Sequence, residues 1–239
     1  MNGPWYAAGA AGEGARPSAV ALRPRLARGG LVVDLGAAHR CLSSALLGGG
    51  LGWLRTWLNL QVGRDYARTD PEAHLAVAAA GLPGPVVGMM TAASVAAHQV
   101  GSAGGASAVA TVGVGRALAA AGTRPRAAPA SGTINLLVVV DQPLSDAGLA
   151  GALQTAVEAK AQALAAARIP AANADGWATG TATDALCVAC PPGAGAPFAG
   201  PATRVGGDLA RAVFDAVLAG ARADRLRPER PVGGAQDAG

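Results

Sequence analysis

Lys160 is the one lysine in this chain; of its 19 Lys and Arg residues, 18 are arginine. That bias, beside 35 glycines and 16 prolines, reads as drift toward GC-rich codons. A lysine kept against such drift marks a place where a compact ammonium serves and a planar guanidinium does not. An ammonium held in a site can stabilise an oxyanion or give up a proton. Its surroundings sharpen the case. Ser145 is placed to cap a helix. Leu149, Leu153, Val157 and Leu164 then form an apolar stripe at helical spacing, and Lys160 falls inside it. The plain alternative is a lysine that snorkels to the helix edge. Glu158, between Gln154 and Gln162, falls on the opposite side, where a solvated face is the ordinary reading.

A second chemical stretch is "ATGTATDA", residues 178–185. In an extended strand the side chains alternate faces. Thr179, Thr181 and Thr183 would then form a row of hydroxyls, with Gly180, Ala182 and Asp184 behind it. Such a row is either a solvated sheet face or a polar ligand surface. Asn135 opens the most apolar strand, in "SGTINLLVVVD", and shares a face with Thr133; a buried amide there needs partners. Asp141 closes the same run, as a turn residue or as a group at a strand end where ligands bind. Ser43 and Ser44 precede three glycines, which wrap a ligand or simply turn the chain. His98 reads as structural.

The elements that must position these groups alternate. Strands are expected at 30–36, 39–46, 85–90, 106–113, 133–140 and 182–189, and helices at 71–80, 91–98, 145–168 and 203–220. This pattern predicts an α/β fold, a single layered domain whose largely buried mixed sheet is flanked by helices. The expected domain runs over 19–221, between a disordered N-terminal arm (1–18) and a disordered tail (222–239).

Composition narrows the function classes. Hydrophobic residues make up 51% of the 239 and aromatics 3%, so the core must be built from Ala, Val and Leu. The net charge of +4 comes with arginines gathered toward the two ends and no interleaved aromatics, which argues against nucleic acid. Three cysteines make a disulfide framework unexpected, and the lone C-x-x-C at Cys187 and Cys190 lacks the four ligands of a structural zinc site. No metal is therefore expected. No secretory leader or membrane span is read, and the expected location is cytoplasmic. "VGVGRALAAAG" mimics a dinucleotide fingerprint, but its third glycine position is Leu118. No phosphate-binding loop, nucleophile elbow or H-E-x-x-H motif is present.

Several stretches together resemble the adenosylcobinamide amidohydrolase family of corrinoid salvage. They are "SSALLGGG" (43–50), "WLNLQV" (57–62), "VGMMTAAS" (87–94), "ATVGVGRALAAAG" (110–122), "GTINLLVVVDQPLSDAGLAGALQTAVEAKAQAL" (132–164), "ATGTATDALCVA" (178–189) and "FAGPATRVGGDLARAVFDAV" (198–217). Their joint order carries the resemblance, over about 30–220. The chain departs from the family pattern at Leu47 and Arg116, where the family tends to show Asn. The resemblance implies hydrolysis of the amide that joins aminopropanol to the corrin ring, giving adenosylcobyric acid and 1-amino-2-propanol. The small-molecule partner is then a corrinoid, which carries its own cobalt, so no cofactor is expected. Lys160 is the expected oxyanion stabiliser or proton donor, and Asp184 or Glu158 the base. Ser43, Ser44, Asn59, Thr91, Thr133, Asn135, Thr179, Thr181 and Thr183 are the expected substrate contacts, with a Thr181 nucleophile left open. The rival readings are a non-catalytic corrinoid carrier, an unrelated interaction domain and a nucleotide-dependent transferase.

Overall fold

The computed structural model describes residues 20–123 and 132–226. The expected N-terminal arm lies outside them, as does most of the expected tail. In chain order the elements are β1 (Arg25–Ala27), β2 (Gly30–Ser43), β3 (Gly50–Gln61), α1 (Pro71–Ala79), β4 (Val86–Thr91), β5 (Gln99–Ala103), β6 (Ala106–Gly113), β7 (Thr133–Val140), α2 (Asp146–Ala166), β8 (Ala185–Cys190) and α3 (Arg204–Arg225). The sheet order is β4-β3-β2-β8-β7-β6-β5, with β1 pairing β2. The pairs β3–β4 and β7–β8 are parallel and the others antiparallel. This is the expected mixed-sheet α/β domain.

The two faces of the sheet are read off the period of two. Along β7, Leu136, Val138 and Val140 pack outward with Ala152, Ala156 and Leu164 of α2 and Leu209 and Val213 of α3. Leu137 and Val139 point inward, to a second apolar layer with Leu31, Leu54, Trp57 and Met89 of β2, β3 and β4. Each fully buried Leu or Val contributes about 1.5–3 kcal/mol. The sheet curls until its β3–β4 end lies over β6–β7, and Asn135 of β7 reaches the carbonyl of Met90 on β4 at 2.8 Å. Alanines on α2 let the helix sit close to the sheet, as the composition requires.

Several expectations need correction. The predicted strands 30–36 and 39–46 are one long strand, β2, with a register shift between Asp34 and His39 where it bends. Strands β3 and β5 were not expected. The helix expected at 91–98 is only a 3-10 turn at Val95–Ala97. There Thr91 Oγ accepts Ala93 N–H at 3.0 Å and Gln61 Oε1 accepts Val95 N–H at 3.0 Å, so side chains take the amides a helix would use. Helix α3 runs on to Arg225, past the expected start of the tail. Finally, the threonine row does not exist. Strand β8 begins at Ala185, and 182–183 form a turn.

Candidate active site

Asp184 makes that turn. Its Oδ2 accepts the Thr181 N–H at 3.1 Å, and its Oδ1 accepts the Thr181 hydroxyl. A carboxylate that satisfies the backbone and side chain three residues back outcompetes the extended form. Oδ1 also accepts Ile134 N–H at 2.9 Å, which latches the turn to the start of β7.

The same carboxylate takes the ammonium of Lys160 on Oδ2. Their side chains are only 7% and 9% exposed, so each charge depends on the other for the solvation it has lost. Lys160 is delivered by α2, whose N-terminus is fixed by Ser145 Oγ accepting Gly148 N–H at 3.1 Å. The buried stripe of α2 is Leu149, Ala152, Ala156, Ala159, Lys160, Ala163 and Leu164. The expected stripe was half right: Val157 is exposed at 43%, and alanines take its place against the sheet. Gly180 completes the arrangement. A methyl group on it would lie 2.5 Å from Asp184 Oδ2 and 2.7 Å from Lys160 Nζ. The backbone thus abuts the ion pair directly.

The pair opens on a cavity of about 540 Å³, whose lining includes Leu118, Val157, Asn173, Thr179 and Thr181 beside Lys160 and Asp184. One wall is the segment 118–123, held at Leu118 by a backbone bridge to Gly180 and further along by Asn173. The Asn173 amide accepts from Ala119 N–H at 2.8 Å and donates to the carbonyls of Ala119 at 3.0 Å and Thr123 at 3.1 Å. Sequence reasoning did not select Asn173. Its scarcity class was the only available signal, since the chain holds four asparagines.

The other expected residues are distributed as follows. Thr179 joins that wall, its Oγ accepting Ala120 N–H at 2.9 Å. Thr183 faces Thr133, hydroxyl to hydroxyl at 2.8 Å. Glu158 is exposed, accepts from Gln154 at 3.2 Å, and lies outside the cavity lining. One residue step on a helix turns about 100°, so two steps from Lys160 carry it to the solvent side. Ser43 and Ser44 do not line the cavity either. Ser43 Oγ donates to the Leu186 carbonyl at 2.9 Å and Ser44 Oγ accepts Leu186 N–H at 3.0 Å, tying β2 to β8.

Asn59, Thr91 and Asn135 lie inside the curled sheet, also away from the cavity lining. Asn59 donates to Thr111 Oγ and accepts from Asn135, each at 2.8 Å. With the Asn135–Met90 contact, these amides join four strands, β3, β4, β6 and β7, across the interior. Among the described residues, buried Asn135 Oδ1 has no hydrogen-bond partner. Asp141 ends β7 and meets Arg204 at 3.4 Å.

The cysteines are free and buried. Cys187, hydrogen-bonded to Cys41 and desolvated, has its thiol pushed well above the usual range, while the same contact lowers Cys41. Burial raises Cys190 as well. Among the described residues, no group of three or more His, Cys, Asp or Glu could hold a metal ion, and no helix is long and apolar enough to cross a membrane.

The family model described as adenosylcobinamide amidohydrolase matches residues 19–228. A curated relative from Halobacterium salinarum, named adenosylcobinamide amidohydrolase, is 42% identical over 101 residues, or 41% of this chain. That aligned stretch spans 40% of the relative's own length. Because the family match takes in the whole sheet, α2 with Lys160 and the turn with Asp184, the chain belongs to the adenosylcobinamide amidohydrolase family.

Proposed function

We propose that this protein hydrolyses the amide linking the aminopropanol arm to the corrin ring of adenosylcobinamide, releasing adenosylcobyric acid and 1-amino-2-propanol. The observation that carries the reading is the buried Lys160–Asp184 pair at a cavity lined by threonine hydroxyls and small apolar residues, in a chain of this family. Amide hydrolysis develops negative charge on the carbonyl oxygen and needs a proton on the leaving nitrogen. Lys160 has three N–H donors, one of which goes to Asp184. The remaining donors border the cavity that Lys160 lines, and in this reading they stabilise the oxyanion. Asp184 moves the proton from the attacking hydroxyl or water to the leaving amine.

A cavity of about 540 Å³ encloses the amide arm, and the macrocycle stays at the mouth. The hydroxyls of Thr179 and Thr181 and the peptide groups of 118–123 then meet the polar atoms of that arm. The cobalt arrives with the substrate, and this chain's residues supply the proton transfers.

The test is incubation of the purified protein with adenosylcobinamide and mass spectrometry of the products. Adenosylcobyric acid plus 1-amino-2-propanol is the expected result. Intact substrate in the presence of folded protein would overturn the reading; if the corrinoid nonetheless bound, the protein would be a carrier.

A further inference from the structure

We infer that Thr181 is a nucleophile, and that the protein therefore transfers the corrinoid acyl group to small amines as well as to water. The inference rests on the amidohydrolase reading and adds a covalent intermediate to it. Three threonine hydroxyls line the cavity, those of Thr123, Thr179 and Thr181. Thr123 donates to the Asn173 carbonyl at 3.0 Å, and Thr179 donates to the Leu118 carbonyl at 3.5 Å. A peptide carbonyl cannot accept a proton in a reaction near neutral pH. Thr181 alone of the three donates to a carboxylate, Asp184 Oδ1. That carboxylate is oriented by Lys160 on its other oxygen and by Ile134 N–H on the same one. A hydroxyl bonded to a base that is itself held by a third group is the arrangement that activates a nucleophile.

The step balances. Thr181 Oγ bonds to the amide carbon as its proton passes to Asp184. The tetrahedral oxyanion faces Lys160. The C–N bond breaks, the nitrogen takes the proton from Asp184, and 1-amino-2-propanol leaves. The corrinoid acyl group is now an ester on Thr181. Water then adds to this ester through the same carboxylate, and Thr181 leaves with its proton restored. An amine that reaches the ester in place of water yields a new amide.

The test uses hydroxylamine as acceptor with the full-length protein and adenosylcobinamide. Mass spectrometry follows the free acid, the hydroxamate and the released 1-amino-2-propanol. The expected result is a hydroxamate whose share grows with hydroxylamine, without a matching rise in the rate of amine release, and no hydroxamate without protein. Thr181→Val should lose both products by at least about a thousandfold. Thr181→Ser, which keeps a hydroxyl and the turn, should retain turnover and hydroxamate formation. Acid formation with no hydroxamate, or undiminished hydrolysis by Thr181→Val, would overturn the nucleophile while leaving the amidohydrolase reading intact. Failure of the wild type to release any amine would overturn both.

Discussion

Lys160 Nζ and Asp184 Oδ2 meet directly against the backbone of Gly180, at a point where not even a methyl group fits. A lysine from the middle of α2 and an aspartate from the threshold of β8 are brought together across 24 residues of sequence. The pair is nearly dry on the protein side and open on the cavity side. Such a pair adds little net stability, because desolvation offsets the attraction; removing one partner is what costs.

Lys160→Met and Asp184→Asn should each lower kcat by about a hundredfold or more, the scale of losing one transition-state donor. Each should also destabilise by about 3–5 kcal/mol, since the other charge is stranded. The double variant Lys160→Met/Asp184→Asn, which keeps an acceptor oxygen for Thr181 and Ile134, should recover part of the stability and none of the activity. Lys160→Arg should fail in turnover despite its charge, because a planar fork cannot occupy the ammonium's place beside Gly180. Urea titration and product formation on the four proteins check this; an active Lys160→Arg would refute the geometric argument.

Gly180→Ala isolates the same geometry without touching a charged group. Its new methyl would sit 2.5 Å from Asp184 Oδ2 and 2.7 Å from Lys160 Nζ, so the pair must separate. Overpacking of this kind costs about 1–3 kcal/mol. The expected signature is a larger loss in kcat than the shift in Tm explains, compared with an alanine placed at the open position of Gly52. Equal activity of the two variants would show that the pair tolerates separation.

Much of this site was legible in the sequence for reasons that are physical, and some of it was not. Lys160 was found because a lone lysine inside an apolar helical stripe is an anomaly. Its true surroundings were less legible, since α2 carries alanine on most sides and offers no contrast between faces. The strands β6 and β7 read cleanly because they are apolar on both faces. β3 did not, because Gly50, Gly52 and Arg55 break its alternation. The threonine alternation was a true pattern with a false cause: one carboxylate three residues downstream closed a turn that periodicity cannot detect. Asn173 acts on peptide groups 54 residues away, and no local pattern announces that.

Asn173→Ala should affect binding more than chemistry. The amide holds segment 118–123 through three contacts, and the segment walls the cavity without touching Lys160 or Asp184 in the network described. Loss of this support should raise KM about tenfold or more, with kcat changed far less, in steady-state assays across substrate concentration. A kcat defect at unchanged KM would place Asn173 in the chemistry instead.

Asn135→Ala tests whether the interior amides are scaffold. It would leave Asn59 Oδ1 and the Met90 carbonyl without their donor in a dry interior. The expected cost is about 1–3 kcal/mol. Per folded molecule, turnover should stay near wild type, because Asn135 lies outside the cavity lining. Thermal unfolding paired with activity at a temperature well below Tm separates the two effects. A variant as stable as wild type but inactive would move Asn135 into the substrate site.

The buried thiols of Cys187 and Cys190 set an alkaline limit on stability. Cys187 and Cys190 have folded pKa values raised above the reference of 9.0, Cys187 by its hydrogen bond to Cys41 and by burial, Cys190 chiefly by burial. Below that reference both folded and unfolded thiols are protonated, and their contribution is fully present. As pH rises past it, the unfolded chain releases protons that the fold retains, so stability falls until the folded thiols titrate. Cys190→Ala removes one such group with little change in volume. Between pH 8 and pH 10 the urea midpoint of wild type should therefore drop more than that of Cys190→Ala. Parallel curves for the two proteins would mean that the alkaline loss comes from other groups, and that the Cys190 thiol is reached by water in the folded state.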